Sequence, residues 1–186
     1  MKATDLTNHF IIAMPSLDDI NFSRSVTYIC EHNNDGALGV TINRPSDIHL
    51  FEIYEQLNLK DYEQKASQQT VFMGGPVQQE RGFLLHRPNG NWDSSLKVTD
   101  NIAITTSKDI LQAMAKNEGP DDVLVTLGYA GWSAGQLEQE LADNTWLSCP
   151  ASEEIIFETP AEKCWDAAAK LLGVDLNLLS NSSGHA

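Results

Sequence analysis

The stretch SVTYICEHNNDGALGVTIN, residues 25–43, sets two apolar, β-branched runs on either side of Asn33-Asn34-Asp35-Gly36. A short Asn/Asp/Gly connection between such runs reads as a hairpin. Part of this chain is thereby committed to antiparallel pairing. Further short apolar runs read as strands: HFIIAM (9–14), TVFM (70–73), RGFLLH (81–86), IAITT (102–106), VLVTLG (123–128) and EIIFE (154–158). GGP at 74–76 and PNGN at 88–91 mark breaks. The expected helices are fewer: LFEIYEQL (50–57), Ser107 to Lys116 ending before Gly119-Pro120, GQLEQELA (135–142), and one opened by Thr159-Pro160-Ala161-Glu162. The last predicts a buried stripe of Ala161, Cys164, Trp165, Ala168, Leu171 and Leu172. Strands do not alternate regularly with helices, which favours an α+β fold over a doubly wound parallel sheet.

The 186 residues fit one domain, with DYEQKASQQ (61–69) as a polar surface loop and residues 180–186 as a frayed tail. The formal charge is −14, and the chain has only twelve Lys and Arg in all, with no basic block. A phosphate-binding face needs such residues clustered, so direct nucleic-acid binding is not expected. Cys30, Cys149 and Cys164 are odd in number and form no C-x-x-C, which points to buried thiols rather than a disulfide framework or zinc ribbon. No signal-peptide core or membrane-spanning run is visible, and the expectation is a soluble, cytosolic protein.

One segment raises the question of catalysis. Gly131-Trp132-Ser133-Ala134-Gly135 matches G-x-S-x-G between an apolar run and a helical run. That context suits a nucleophile elbow, with Ser133 as the nucleophile of a serine hydrolase. The hydrolase reading also needs a later histidine, and only His185 follows, second from the end. The competing reading is a capping box: Ser133-x-x-Gln136, with the serine oxygen accepting the Gln136 amide and the Gln136 side chain returning to the Ser133 amide. The glycines match neither a Walker A loop nor G-x-G-x-x-G.

LGYAGWSAGQLEQEL followed by NTWLSCPA resembles the signature of the YqgE/AlgH family of bacterial proteins. AMPSLDD, FSRSVTYICEHNNDGALGVTINRP, FMGGPVQQERGFLLH, ITTSKDIL and the closing GHA agree, in family order and over nearly the whole chain. The resemblance implies an α+β fold with a mixed, largely antiparallel sheet curled into a pseudo-barrel and flanked by helices. It supplies no catalytic residue to transfer, and the slot of Ser133 also takes glycine or a larger residue in the family. One branch carries the name of a transcriptional regulator connected with alginate production.

Candidate binding chemistry lies at strand ends. The four arginines are Arg24, Arg44, Arg81 and Arg87, and an arginine fork suits a carboxylate or phosphate. The bland alternative pairs each arginine with one of the 26 acids. Glu31, His32 and His86 are the other polar strand-end residues, and Glu31 with His86 would make an acid/base couple if close in space. Trp132, placed in a turn beside Tyr129, suggests partial exposure at a ligand pocket or partner surface. Asn43-Arg44-Pro45, Gly74-Gly75-Pro76 and Gly128-Tyr129 read as loops at sheet ends. The expectation is that Arg24, Glu31, His32, Asn43, Arg44, Gly74, Gly75, His86, Tyr129 and Trp132 meet in one pocket for a small anionic ligand, or form the face for a protein partner. No metal-ligand spacing occurs, and neither a metal nor a cofactor is expected.

Overall fold

Strand β9 (Asp122–Ser133) is the longest in the chain, and the other elements are arranged around it. The computed structural model describes residues 5–176 and residue 178. In chain order the elements are β1 (His9–Ala13), β2 (Val26–Asn33), β3 (Gly36–Thr41), β4 (Pro45–His49), α1 (Leu50–Gln56), α2 (Gln64–Ser67), β5 (Thr70–Met73) and β6 (Val77–Arg87). They continue with β7 (Ser95–Lys97), β8 (Ala103–Thr105), α3 (Lys108–Ala115), β9, α4 (Gln136–Ala142), β10 (Trp146–Pro150), α5 (Glu153–Phe157) and α6 (Ala161–Leu171).

The strands form one curled sheet of order β10-β1-β2-β3-β9-β6-β8-β7, with β5 joined to β9 and β4 to β5. Every pairing is antiparallel except β5 with β9. The hairpin forms as expected, with Asn33 opposite Gly36 and only Asn34 and Asp35 between. β9 uses Asp122–Tyr129 against β6 and Ala130–Ser133 against β3, so one strand spans both halves of the curl.

The apolar runs are continuous rather than alternating because both faces of the sheet are covered. In β1, Phe10 and Ile12 face the main core with α5 and α6, while Ile11 and Ala13 face a second core with α4. In β6 and β9, Leu85 and Leu124 join the main core, whereas Leu84 and Val125 join a third under α1 and α3. The glycines of the crossing loops are there for backbone proximity. A Cβ on Gly75 would lie 2.0 Å from the Tyr129 carbonyl carbon, and one on Gly74 would lie 2.5 Å from the Gly128 oxygen. Gly128 itself has φ +77°, a conformation that other residues reach only with strain.

Several expectations change. EIIFE is not a strand but helix α5, whose Ser152 accepts a hydrogen bond from the Ile155 amide at 3.3 Å. Ile155 and Ile156 are both buried, and so short an apolar run does not separate helix from strand by its period. β4, β7 and β10 were not foreseen. β10 carries a proline and a cysteine, and its place is secured by β1 rather than by propensity. The polar 61–69 segment holds the single turn α2. Helix α6 begins as expected, but the Thr159 hydroxyl donates to the Glu154 carbonyl instead of capping it, and Pro160 takes the cap position. Its buried stripe is Cys164, Trp165, Ala168 and Ala169, with Leu171 and Leu172 exposed. The three cysteines are free and buried, and burial pushes the Cys164 thiol up to about 11. The expected tail 180–186 and His185 lie outside the described residues.

The backbone crossing predicts an asymmetry between glycines. Gly75→Ala must push Tyr129 away, at a cost of about 3 kcal/mol, and a chain of this size then loses roughly 6–12 °C of melting temperature. Gly135, with φ +76° and nothing within 4 Å, meets only the left-handed backbone penalty, about 1 kcal/mol in Gly135→Ala. Thermal unfolding of the two variants checks the order.

Candidate functional site

The predicted residues fall into separate places. Asn43, Arg44 and Gly75 line a cavity of about 310 Å³ together with Asn21 and Gln79. Asn43 closes the local structure: its Oδ1 accepts the Val26 amide at 2.9 Å and its Nδ2 donates to the Arg24 carbonyl at 3.0 Å. Arg44 clamps the loop before β2, donating to the carbonyls of Ile20 at 2.9 Å and Ser23 at 2.8 Å. Arg24, held at φ 57°, lays its guanidinium 4.9 Å from the Trp165 ring centre. Gly74 belongs to the same region, accepting the Thr41 amide and donating to Leu127, each at 2.8 Å.

The rest lie elsewhere. Glu31 lines a shallow depression beside Trp132. Trp132 is not in an open turn, because β9 continues through it. It is 6% exposed and donates its indole N–H to Glu140 at 3.0 Å, as Trp146 does at 2.9 Å. Tyr129 packs edge-on against Phe83 at 5.3 Å. His32 accepts the Leu6 amide on Nδ1 at 3.0 Å, which leaves Nε2–H to donate to Glu138. This histidine tethers the chain before β1 and presents no free base. His86 is fully buried, with Nδ1 on the Pro88 carbonyl at 3.0 Å and Nε2 on the Thr105 hydroxyl at 2.7 Å. Glu31 is partner to neither ring atom, so no Glu31–His86 couple forms.

Of the arginines, only Arg87 meets acids among the described residues: Asp122 at 2.8 Å, Glu153 at 3.2 Å and Glu158 at 3.4 Å. Arg81 instead reaches the Thr106 hydroxyl at 3.2 Å and Gln78 at 3.4 Å. It stands on a bulge: Val77 pairs with Tyr129 and Gly82 with Leu127, so residues 78–81 leave the ladder. Beside this bulge opens a cleft of about 440 Å³ between α1, α3 and the sheet. Its floor is Ile53, Leu57, Leu84, Leu111, Val125 and Leu127, and its mouth holds Glu80, Arg81, Thr106 and Lys108. The sequence shows Arg81 and the expected Ser107–Lys116 helix as separate features. It has no signal that helix α1 and helix α3 leave a gap over β9.

Ser133 ends β9, and its amide and its hydroxyl both donate to Gln136 Oε1, at 2.9 and 3.2 Å. Half of the expected capping box is present. The other half is not, because Gly135, not Ser133, occupies the cap. No imidazole bonds to Ser133 among the described residues. Nor does any group of three or more His, Cys, Asp or Glu there stand ready for a metal, and no helix is long and apolar enough to cross a membrane.

A curled, largely antiparallel sheet with helices on both faces places the chain in an α+β class. The AlgH-like family model matches residues 10–177, and the chain belongs to that family. A UPF0301 protein of Nitrosococcus oceani is 56% identical over 179 residues, covering 96% of each chain. The solution structure of the AlgH protein from Pseudomonas aeruginosa superposes with TM-score 0.81 at 48% identity, covering 100% of this chain and 98% of that one. A crystal structure of a Corynebacterium diphtheriae protein, 21% identical, shares the fold with TM-score 0.75 over 97% of this chain and 94% of its own.

Two expectations follow. A fluorophosphonate probe leaves Ser133 unlabelled, since no base contacts it among the described residues; a stoichiometric adduct in the intact mass, lost in Ser133→Ala, would contradict this. Burial holds the His86 pKa below its usual 6.5. As pH falls through that value the unfolded chain takes the proton first, so the stability due to neutral His86 is present above it and lost below. Denaturation between pH 7 and pH 5 shows a fall that is shallower in His86→Gln.

Proposed function

We propose that this chain is a binding protein without catalysis of its own, and that it recognises a small anionic ligand in the cleft between α1, α3 and β6. The observation carrying this reading is Arg81. Its guanidinium stands at the mouth of the 440 Å³ cleft with a hydroxyl and an amide oxygen as partners, and no carboxylate pairs with it among the described residues. Arg24 and Arg44 likewise meet no carboxylate there, but of these three arginines it is Arg81 that lines the cleft. An apolar floor with a few polar groups at one end is the usual build of a small-molecule site.

Any influence on transcription would be exerted through the ligand-bound form. Twelve Lys and Arg against 26 Asp and Glu oppose an approach to DNA. The Arg44 cavity is the weaker candidate, because that guanidinium is held by two main-chain carbonyls at 2.9 and 2.8 Å, whereas the side-chain partners of Arg81 lie farther off, at 3.2 and 3.4 Å.

Calorimetric titration with small carboxylates and phosphates tests the reading. Binding is expected at one site per chain and weakens at least tenfold in Arg81→Gln, as hydrogen bonds to a charged group contribute about 1.5–3 kcal/mol. No binding by any anion at millimolar concentration, or binding indifferent to Arg81, would overturn it.

A further inference from the structure

The two ends of the α1–α3 cleft differ in kind, and the difference points to a class of ligand. Leu127 lies in the central strand of the sheet, opposite Gly82 of β6 and beside Met73 of β5. Such a position is ordinarily sealed. Here Leu127 is only partly buried, while Val125, two residues earlier on the same face, is completely covered. Leu57, directly after α1, is half-buried too, facing the same space. The floor is therefore a hydrocarbon trough that the helices border without filling, and covering it with an apolar body is favourable.

Charge is confined to the mouth. Arg81 and Lys108 stand there with one acid, Glu80, for a balance of +1. The remainder of the chain, at −14 overall, draws no anion by its net field, so the attraction has to be local. A single positive balance matches a single negative charge. A planar guanidinium fork, with the Thr106 hydroxyl 3.2 Å from one nitrogen, suits the two oxygens of a carboxylate.

We infer that the cleft takes an aliphatic monocarboxylate, with the carboxylate on Arg81 and the chain laid over Leu127 and Leu111. The inference rests on the cleft being the anion site proposed above, and adds the chemistry of the rest of the ligand. With about 30 Å³ per water-sized group, 440 Å³ holds on the order of ten to fifteen heavy atoms, the size of a medium-chain acyl anion.

The experiment is a chain-length ladder on the full chain: acetate, butanoate, hexanoate and octanoate, with octanol, octyltrimethylammonium and octyl phosphate alongside. Affinity for the carboxylates should rise about fourfold per methylene, the equivalent of about 0.8 kcal/mol. Octanol and the ammonium should bind at least tenfold more weakly than octanoate. Leu127→Gln should flatten the ladder. Amide chemical shifts in wild type, perturbed by octanoate on β9 around Leu127 and on α3, give a reading that no variant's folding can confound.

Arg81-dependent anion binding without any chain-length dependence would sink this inference and leave the proposed function standing. So would octyl phosphate binding tighter than octanoate, or octyltrimethylammonium binding as well. Failure of every anion would remove both. Octanoate perturbing amides only outside the cleft would place the site elsewhere and overturn the assignment.

Discussion

The Gly74-Gly75 turn passes tightly against Gly128-Tyr129 of β9. A methyl group on Gly75 would sit 2.0 Å from Tyr129, and one on Gly128 would sit 2.4 Å from the Gly75 carbonyl oxygen. At this point β9 leaves its partnership with β5 and β6 and enters its partnership with β3. The left-handed conformation at Gly128 gives the strand its change of course. Both halves of the curled sheet hang from this crossing. It also explains a sequence feature that reads at first as a ligand loop. Gly74 and Gly75 leave room for another segment of the same backbone.

Much of the fold was legible because hydrophobic runs mark strands buried on both faces. Phe10, Ile11, Ile12 and Ala13 are all fully covered, two by each layer, so the run needs no alternation to be a strand. The same property made EIIFE ambiguous. Five residues with two adjacent isoleucines fit a covered strand as well as a helix turned against the core, and the Ser152 cap decides for the helix. β7 and β10 were illegible for the opposite reason. Their residues carry weak signals of their own, and each is a strand because an edge was available: β8 for Ser95–Lys97, β1 for Trp146–Pro150. Pairing of that kind is a tertiary fact.

The site was less legible than the fold. Polar residues at strand ends looked like one constellation, and Asn43, Arg44 and Gly75 do share a cavity. The others serve the architecture. His32 holds the N-terminal segment, His86 sits in a dry network with Thr105, and Trp132 is pinned with Trp146 by Glu140. Residue type alone does not separate a histidine that works from one that is merely satisfied. Arginine was the better guide, but only after pairing was known. Arg87 is consumed by three acids, and Arg81 by none among the described residues.

Why Arg81 stands off the sheet follows from the same strand. β9 keeps β6 in register from Asp122 to Leu127 and then recovers it only at Tyr129, with Val77. Five steps along β6 meet two along β9, so residues 78–81 have nowhere to go but outward. Gln78 takes a left-handed turn with φ 50°, and the bulge carries Gln79 to the Arg44 cavity and Glu80 and Arg81 to the cleft. Two cavities thus share one wall, built from a segment that has left the sheet ladder. The crossing at Gly128 that makes the fold possible also makes the mismatch that pushes the wall out. The place of Arg81 at the cleft is a consequence of how the central strand turns.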